Sequence, residues 1–239
     1  MKRKYFSIIF LILLVIARAL SSEQSVKVMR NLFAEGNTNE KKAGITIVID
    51  PGHGGRDPGK VGVNNALEKD INLAVALRLK NLLEQNDIKV IMTRTEDEGL
   101  YSESDSNKKR ADLNNRIEII NSSDVLIAVS IHQNSFSQEY VKGAQVFYHA
   151  QSEQGRILAE TIQEQLKETI KDGNHRKAKS NSSYYMLKHT DRPLVIVECG
   201  YLSNYTEANL LTDEEYQEKM AWAIHLGIMK YLNQSVDKN

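Results

Sequence analysis

The chain has 239 residues, 31 Lys and Arg balanced by 31 Asp and Glu, a single cysteine, three prolines and 41% apolar residues. That length and apolar fraction are enough for a sizeable core in one domain, which excludes a disordered chain or a disulfide-stapled mini-scaffold. Zero formal net charge speaks against a nucleic-acid binder, and one cysteine can close neither an intrachain disulfide nor a cysteine zinc ribbon.

Lys2, Arg3 and Lys4 precede an apolar run from Tyr5 to Ala17 broken only by Ser7. The run is shorter than the roughly 20 residues that cross a bilayer as a helix, so residues 1–22 read as an export signal peptide or, if uncleaved, as a membrane anchor. Membrane contact is expected only through this segment. Residues 23–43 are polar and carry Gly36, Asn37, Thr38 and Asn39, which suits a tether. The folded domain is expected over 44–235.

Ile45 to Ile49 is a β-branched run stopped by Asp50-Pro51-Gly52, a buried strand ending in a turn. Leu73, Leu77, Leu79 and Leu82 follow at helical spacing. Lys89 to Thr93 predicts a second strand, Ala111 to Ile120 a helix, Val125 to Ile131 a third strand and Ala144 to Tyr148 a fourth. Ile157, Leu158, Thr161, Ile162, Leu166 and Ile170 mark a long amphipathic helix. Leu194 to Cys199 makes a last apolar strand, and Ala221 to Leu232 a closing helix. Asn204 with Glu207, and Thr212 with Glu215, have the spacing of helix N-terminal capping pairs. Strands apolar on both faces that alternate with helices predict a single α/β domain, a mostly parallel twisted sheet covered by helices on both faces. In such sheets ligands bind beyond the carboxyl ends of the strands.

Polar chemistry gathers at those ends. His53 lies in the glycine- and proline-rich loop after the first strand, and His132 follows the third strand directly. Two histidines at neighbouring strand ends can converge on a metal, and hydrolytic zinc sites often add one carboxylate to two histidines. Glu68 opens the first helix, where acidic residues are also favoured by the helix dipole. Glu198 interrupts an apolar strand, where an unpaired charge is costly to bury. Spacing alone does not decide which of Glu68 and Glu198 is a ligand and which a base. His149, His175, His189 and His225 have no comparable context and read as structural or solvent-facing. Cys199, inside the last apolar strand, reads as buried.

Ile49-Asp50-Pro51-Gly52-His53-Gly54-Gly55, Glu68-Lys69-Asp70, Met92-Thr93-Arg94, Ser130-Ile131-His132-Gln133-Asn134 and Val197-Glu198-Cys199-Gly200-Tyr201-Leu202-Ser203-Asn204 together resemble, in order, the motifs of the zinc-dependent N-acetylmuramoyl-L-alanine amidases of bacterial cell walls. Within that family the chain resembles the germination-specific amidases of endospore formers. The resemblance implies a zinc hydrolase acting on peptidoglycan, with 44–235 as its catalytic domain. It cleaves the amide between N-acetylmuramic acid and L-alanine, in spore cortex maturation towards the muramic lactam. It also implies that His53, Glu68 and His132 hold Zn2+, that Glu198 is catalytic, and that Asn134 is a polar neighbour of the site. The expected location is outside the cytoplasmic membrane, in the cell wall or the forespore intermembrane space. Alternatives are a peptidoglycan carboxypeptidase with the same metal chemistry, or an amidase-fold protein active only with an activator protein. Gln133, Cys199 and Tyr201 depart from the family pattern. Gln151 to His189 diverges enough to put in doubt the self-blocking helix that some relatives carry there. The basic stretch Lys171 to Arg192 reads as a solvated loop, or else as a contact for peptide carboxylates.

Overall fold

A computed structural model describes residues 44–122 and 124–236. The export segment expected over 1–22 and the tether over 23–43 lie outside the described residues. The elements run β1 (Thr46–Pro51), α1 (Glu68–Glu84), β2 (Lys89–Met92), α2 (Lys108–Ile120), β3 (Val125–Asn134), β4 (Gln145–Tyr148), α3 (Glu153–Ile170), β5 (Lys179–Ser180), α4 (Tyr185–His189), β6 (Leu194–Tyr201), α5 (Tyr205–Leu211) and α6 (Glu214–Val236).

They form one six-stranded sheet in the order β2-β1-β3-β6-β4-β5. β1 pairs in parallel with β2 and β3, and β3 with β6. β4 runs antiparallel to β6, and β5 returns parallel to β4. This is the mostly parallel sheet the alternating pattern predicts.

Successive side chains of a strand point to opposite faces, and β1 uses both. Ile47 and Ile49 join one apolar cluster with Leu79 and Leu83 of α1, Ile162 and Leu166 of α3, and Ile224 and Ile228 of α6. Val48 joins the other cluster with Ile117 and Ile120 of α2 and Met186 and Leu187 of α4. Helices thus cover both faces, which is why the Ile47–Ile49 run is apolar on both sides and β1 is buried along its whole length.

The two capping expectations come out differently. Asn204 does cap α5, its side chain accepting from the Glu207 amide at 3.0 Å. The Glu207 carboxylate does not complete the pair; it accepts from the Tyr201 and Gly143 amides at 2.8 and 2.9 Å. At α6 the cap is Asp213, whose carboxylate accepts from the Tyr216 amide at 2.9 Å. Thr212 instead closes α5, its hydroxyl donating to the Asn209 carbonyl at 2.8 Å.

The stretch from Lys171 to Arg192 is more structured than a solvated loop, because it contains β5 and α4 and buries Met186 and Leu187. Among the described residues no helix is long and apolar enough to cross a membrane.

Candidate metal centre

The connection leaving β1 runs through α1 to β2 on one side of it in the sheet, whereas the chain leaving β3 goes to β4 on the other, so the connections diverge at the carboxyl ends of β1 and β3. That divergence opens a crevice. A cleft of about 390 Å³ lies there, with His53, Glu68, His132 and Glu198 in its lining.

Each of the four arrives from a different element. His53 lies just past β1, Glu68 is the first residue of α1, His132 is near the end of β3 and Glu198 sits on β6. His132 and Glu198 are direct partners in the β3–β6 register. His53, Glu68 and His132 offer donor atoms that all lie within 4.8 Å of one another. One oxygen of Glu68, Oε1, is 3.2 Å from His53 Nε2 and 2.9 Å from His132 Nδ1. The two imidazole rings stand edge to face, with centroids 5.0 Å apart.

Backbone and neighbours fix these orientations. The other Glu68 oxygen accepts from the Lys60 amide at 2.7 Å, while Oε1 also accepts from the Gln133 amide at 3.1 Å. Burial works to raise the Glu68 carboxyl, but hydrogen bonds and charge from His132 and His53 outweigh it and hold the group well below the usual carboxylate range. His53 Nδ1 is 2.9 Å from Asp57. Burial lowers the His53 imidazole, yet Asp57 and Glu68 together lift it to about 9. Two glycines make room. A Cβ on Gly52 would lie 2.2 Å from the His132 ring, and one on Gly59, whose φ is +69°, 2.5 Å from a Glu68 oxygen.

Glu198 differs from Glu68 in that, among the described residues, no backbone amide donates to it. It is 8% exposed, and its buried Oε2 has no hydrogen-bond partner among the described residues. Burial, opposed by His132 and reinforced by the Glu68 charge, pushes its carboxyl up to about 7. Of the two carboxylates, Glu68 is the one whose oxygen is grouped with the donor atoms of the two histidines.

The remaining wall comes from α2 and α4. Tyr184, Tyr185 and Met186 line the cleft with Lys109 and Leu113. The Tyr185 hydroxyl donates to Asn114 at 2.9 Å, and Arg110 lies over its ring at 4.5 Å. Asn134 and Ser135 also border the cleft, whereas the basic residues His175, Arg176, Lys177, Lys179, Lys188 and Arg192 do not. The basic side chains that do are Lys60 and Lys109. Cys199 is buried, and burial raises its thiol far above the usual range. Of the other histidines, His225 is buried and packs on Trp222, and His189 stacks on Tyr185.

Sequence reasoning passed over a buried polar layer under the cleft. Asp50, 1% exposed, accepts from Arg116, Thr93 and Ser130, each at 2.6 Å. Two signals were present: a carboxylate closing an apolar strand, and an arginine at helical spacing among Leu113, Ile117 and Ile120.

Residues 47–230 match the N-acetylmuramoyl-L-alanine amidase family. The germination-specific N-acetylmuramoyl-L-alanine amidase of Bacillus subtilis is 37% identical over 198 residues, covering 82% of this chain and 83% of that one. Among solved structures, the CwlD amidase of Clostridioides difficile, determined in complex with the GerS lipoprotein, is 45% identical with a TM-score of 0.77 over 79% of this chain and 98% of that one. The amidase AmiC2 of Nostoc punctiforme is 33% identical with a TM-score of 0.70, over 79% of this chain and 97% of that one.

Proposed function

The chain belongs to the N-acetylmuramoyl-L-alanine amidase family, and from this premise we propose that it is a zinc enzyme that strips stem peptides from muramic acid during spore cortex maturation. The observation that carries the reading is the convergence of His53, Glu68 and His132 opposite a buried carboxylate, Glu198, that has a free oxygen. Two imidazoles and one carboxylate are the donor set of open catalytic zinc sites, so the residues fit the ion. Bound there, zinc supplies Lewis acidity, which acidifies water and polarises a carbonyl.

The protein's own groups do the rest. Asp57 engages Nδ1 of His53 and so leaves Nε2 to face the donor cluster, and the Lys60 amide fixes one Glu68 oxygen so that the other points to the histidines. Glu198 takes a proton from the attacking water and returns it to the departing L-alanine amine. A carboxyl raised to about 7 serves both transfers near neutral pH. The cleft walls from α2 and α4 position the peptidoglycan strand.

Similarity to a germination-specific amidase supports the cortex role, and with it export to the cell wall or the forespore intermembrane space through the segment 1–22. A relative solved with a lipoprotein supports an activator protein as partner.

The test compares the full chain with its Glu198→Gln variant on purified peptidoglycan. The expected result is one zinc per chain in both proteins and new L-alanine amino termini from the wild type alone. Stem-peptide release by the variant at the wild-type rate would remove Glu198 from the mechanism, and release of a terminal D-alanine instead would make the enzyme a carboxypeptidase.

A further inference from the structure

The three backbone carbonyls that lead into the cleft, those of Pro51, Gly52 and His53, are all gripped by two buried arginines. Arg94 donates from Nε to Pro51 at 2.9 Å and from Nη2 to Gly52 at 3.1 Å. Arg116 donates from Nη1 to Pro51 at 2.9 Å and from Nη2 to His53 at 2.7 Å. Both side chains are 2% exposed and held from behind. Asp50 and Asp112 anchor Arg116 at 2.6 and 2.7 Å, and the Glu96 and Lys69 carbonyls anchor Arg94 at 2.9 and 2.8 Å.

The residue at the end of this grip has an unusual backbone. His53 has φ +62°, the left-handed region that a residue with a Cβ adopts only where its surroundings impose it. Histidine enters that region more readily than most residues with a Cβ, yet still in a small minority of cases, so its neighbours decide whether it does so here. Two planar guanidiniums with fixed donor directions hold the carbonyl of His53 and the two before it.

We propose that Arg94 and Arg116 are positioning residues for the metal: they, and not the ion, set the left-handed turn at His53, so that its Nε2 faces Glu68 and His132 before any metal arrives. This rests on the zinc reading given above. A lysine in either place keeps the charge but is a point donor on a flexible stem, unable to serve several carbonyls in one plane. Residues that support a ligand in this way typically change metal affinity by roughly 10- to 100-fold when replaced.

The experiment measures zinc affinity by chelator competition, and the visible spectrum after Co2+ substitution, for the wild-type full chain, Arg94→Lys and Arg116→Lys, with melting temperatures of the metal-free proteins alongside. Amide hydrogen exchange of residues 52–59 is followed in the metal-free and zinc-loaded wild type. The expected result is a zinc Kd raised 10- to 100-fold and an altered Co2+ spectrum in each folded variant, with the wild-type loop equally protected with and without zinc. A purely structural role would lower the melting temperature and leave affinity and spectrum unchanged in the folded protein, which overturns the proposal. A loop that becomes protected only on adding zinc overturns it too, without reference to whether either variant folds. A wild type that binds no zinc refutes the zinc reading itself, and this inference with it.

Discussion

Replacing Gly52 with alanine tests the site at its tightest contact. The added Cβ would lie 2.2, 2.3 and 2.8 Å from Cε1, Nε2 and Nδ1 of His132, whereas ordinary contact begins at 3.4 Å. The backbone need not yield, because Gly52 is not among the residues with positive φ, and at such positions alanine even gains about 0.4–1 kcal/mol by restricting the unfolded chain. The ring yields instead, by about 1 Å, away from a position in which its Nδ1 is 2.9 Å from Glu68. A misplacement of about 1 Å at a reacting centre lowers rates on the order of 100-fold, or about 2.7 kcal/mol of transition-state stabilisation. Release of stem peptides from purified peptidoglycan should therefore show kcat/KM about 100-fold below wild type, with weaker zinc binding and a melting temperature within a few degrees. A folded Gly52→Ala protein with wild-type kcat/KM would refute the claim that this glycine exists to seat the imidazole.

Acid stability should report on Asp50. Burial raises its carboxyl, but Arg116, Ser130 and Thr93 together hold it at about 2, below the ordinary 3.8; the ionised form is thus favoured in the folded state, and its contribution is complete above about pH 4 and is lost as pH falls towards 2. Urea titrations between pH 5 and 2 should show the wild type losing about 2 kcal/mol more than Asp50→Asn over that window, and parallel curves would contradict the assignment. At the helix interface behind the sheet, a Cβ on Gly227 would meet the Ile162 Cα at 2.5 Å and its amide nitrogen at 2.9 Å. Gly227→Ala should force α3 and α6 apart and destabilise the fold by about 1–3 kcal/mol in chemical denaturation. Removing metal with a chelator should abolish amide cleavage, restored by adding zinc, while far-UV circular dichroism stays unchanged, since Glu68 retains its Lys60 and Gln133 amide partners without the ion; unfolding on chelation would mean that the metal is structural.

The sheet and its long helices were legible because periodicity reports burial directly: β1, β3 and β6 are apolar on both faces as they are covered on both. His53 and His132 stood out by position, each at the end of a buried run, and Glu198 by being a carboxylate among aliphatic neighbours. Glu68 was harder, because a first-turn acid has a sufficient reason in the helix dipole; only the Lys60 and Gln133 amides turn it towards the histidines. The pairing within the Asp50–Arg116–Arg94 layer was not legible, because its partners come from β1, α2 and just past β2, far apart in the chain, and only the individual residue types hinted at it. β5 and α4, at two and five residues, are too short to show a period. The α6 cap was misplaced by one residue because Thr212 and Asp213 are both good capping types, and only the backbone path shows that the threonine still belongs to the helix before.

β6, the last strand among the described residues, does not add to an edge of the sheet; it slots between β3 and β4. Without β6 the layer is interrupted: β3 lacks one neighbour, and β4 with its two-residue companion β5 has nothing to join. Glu198 travels on that same late strand. Closure of the layer and the arrival of the buried Glu198 carboxylate are thus one event, and a chain ended before Leu194 has neither.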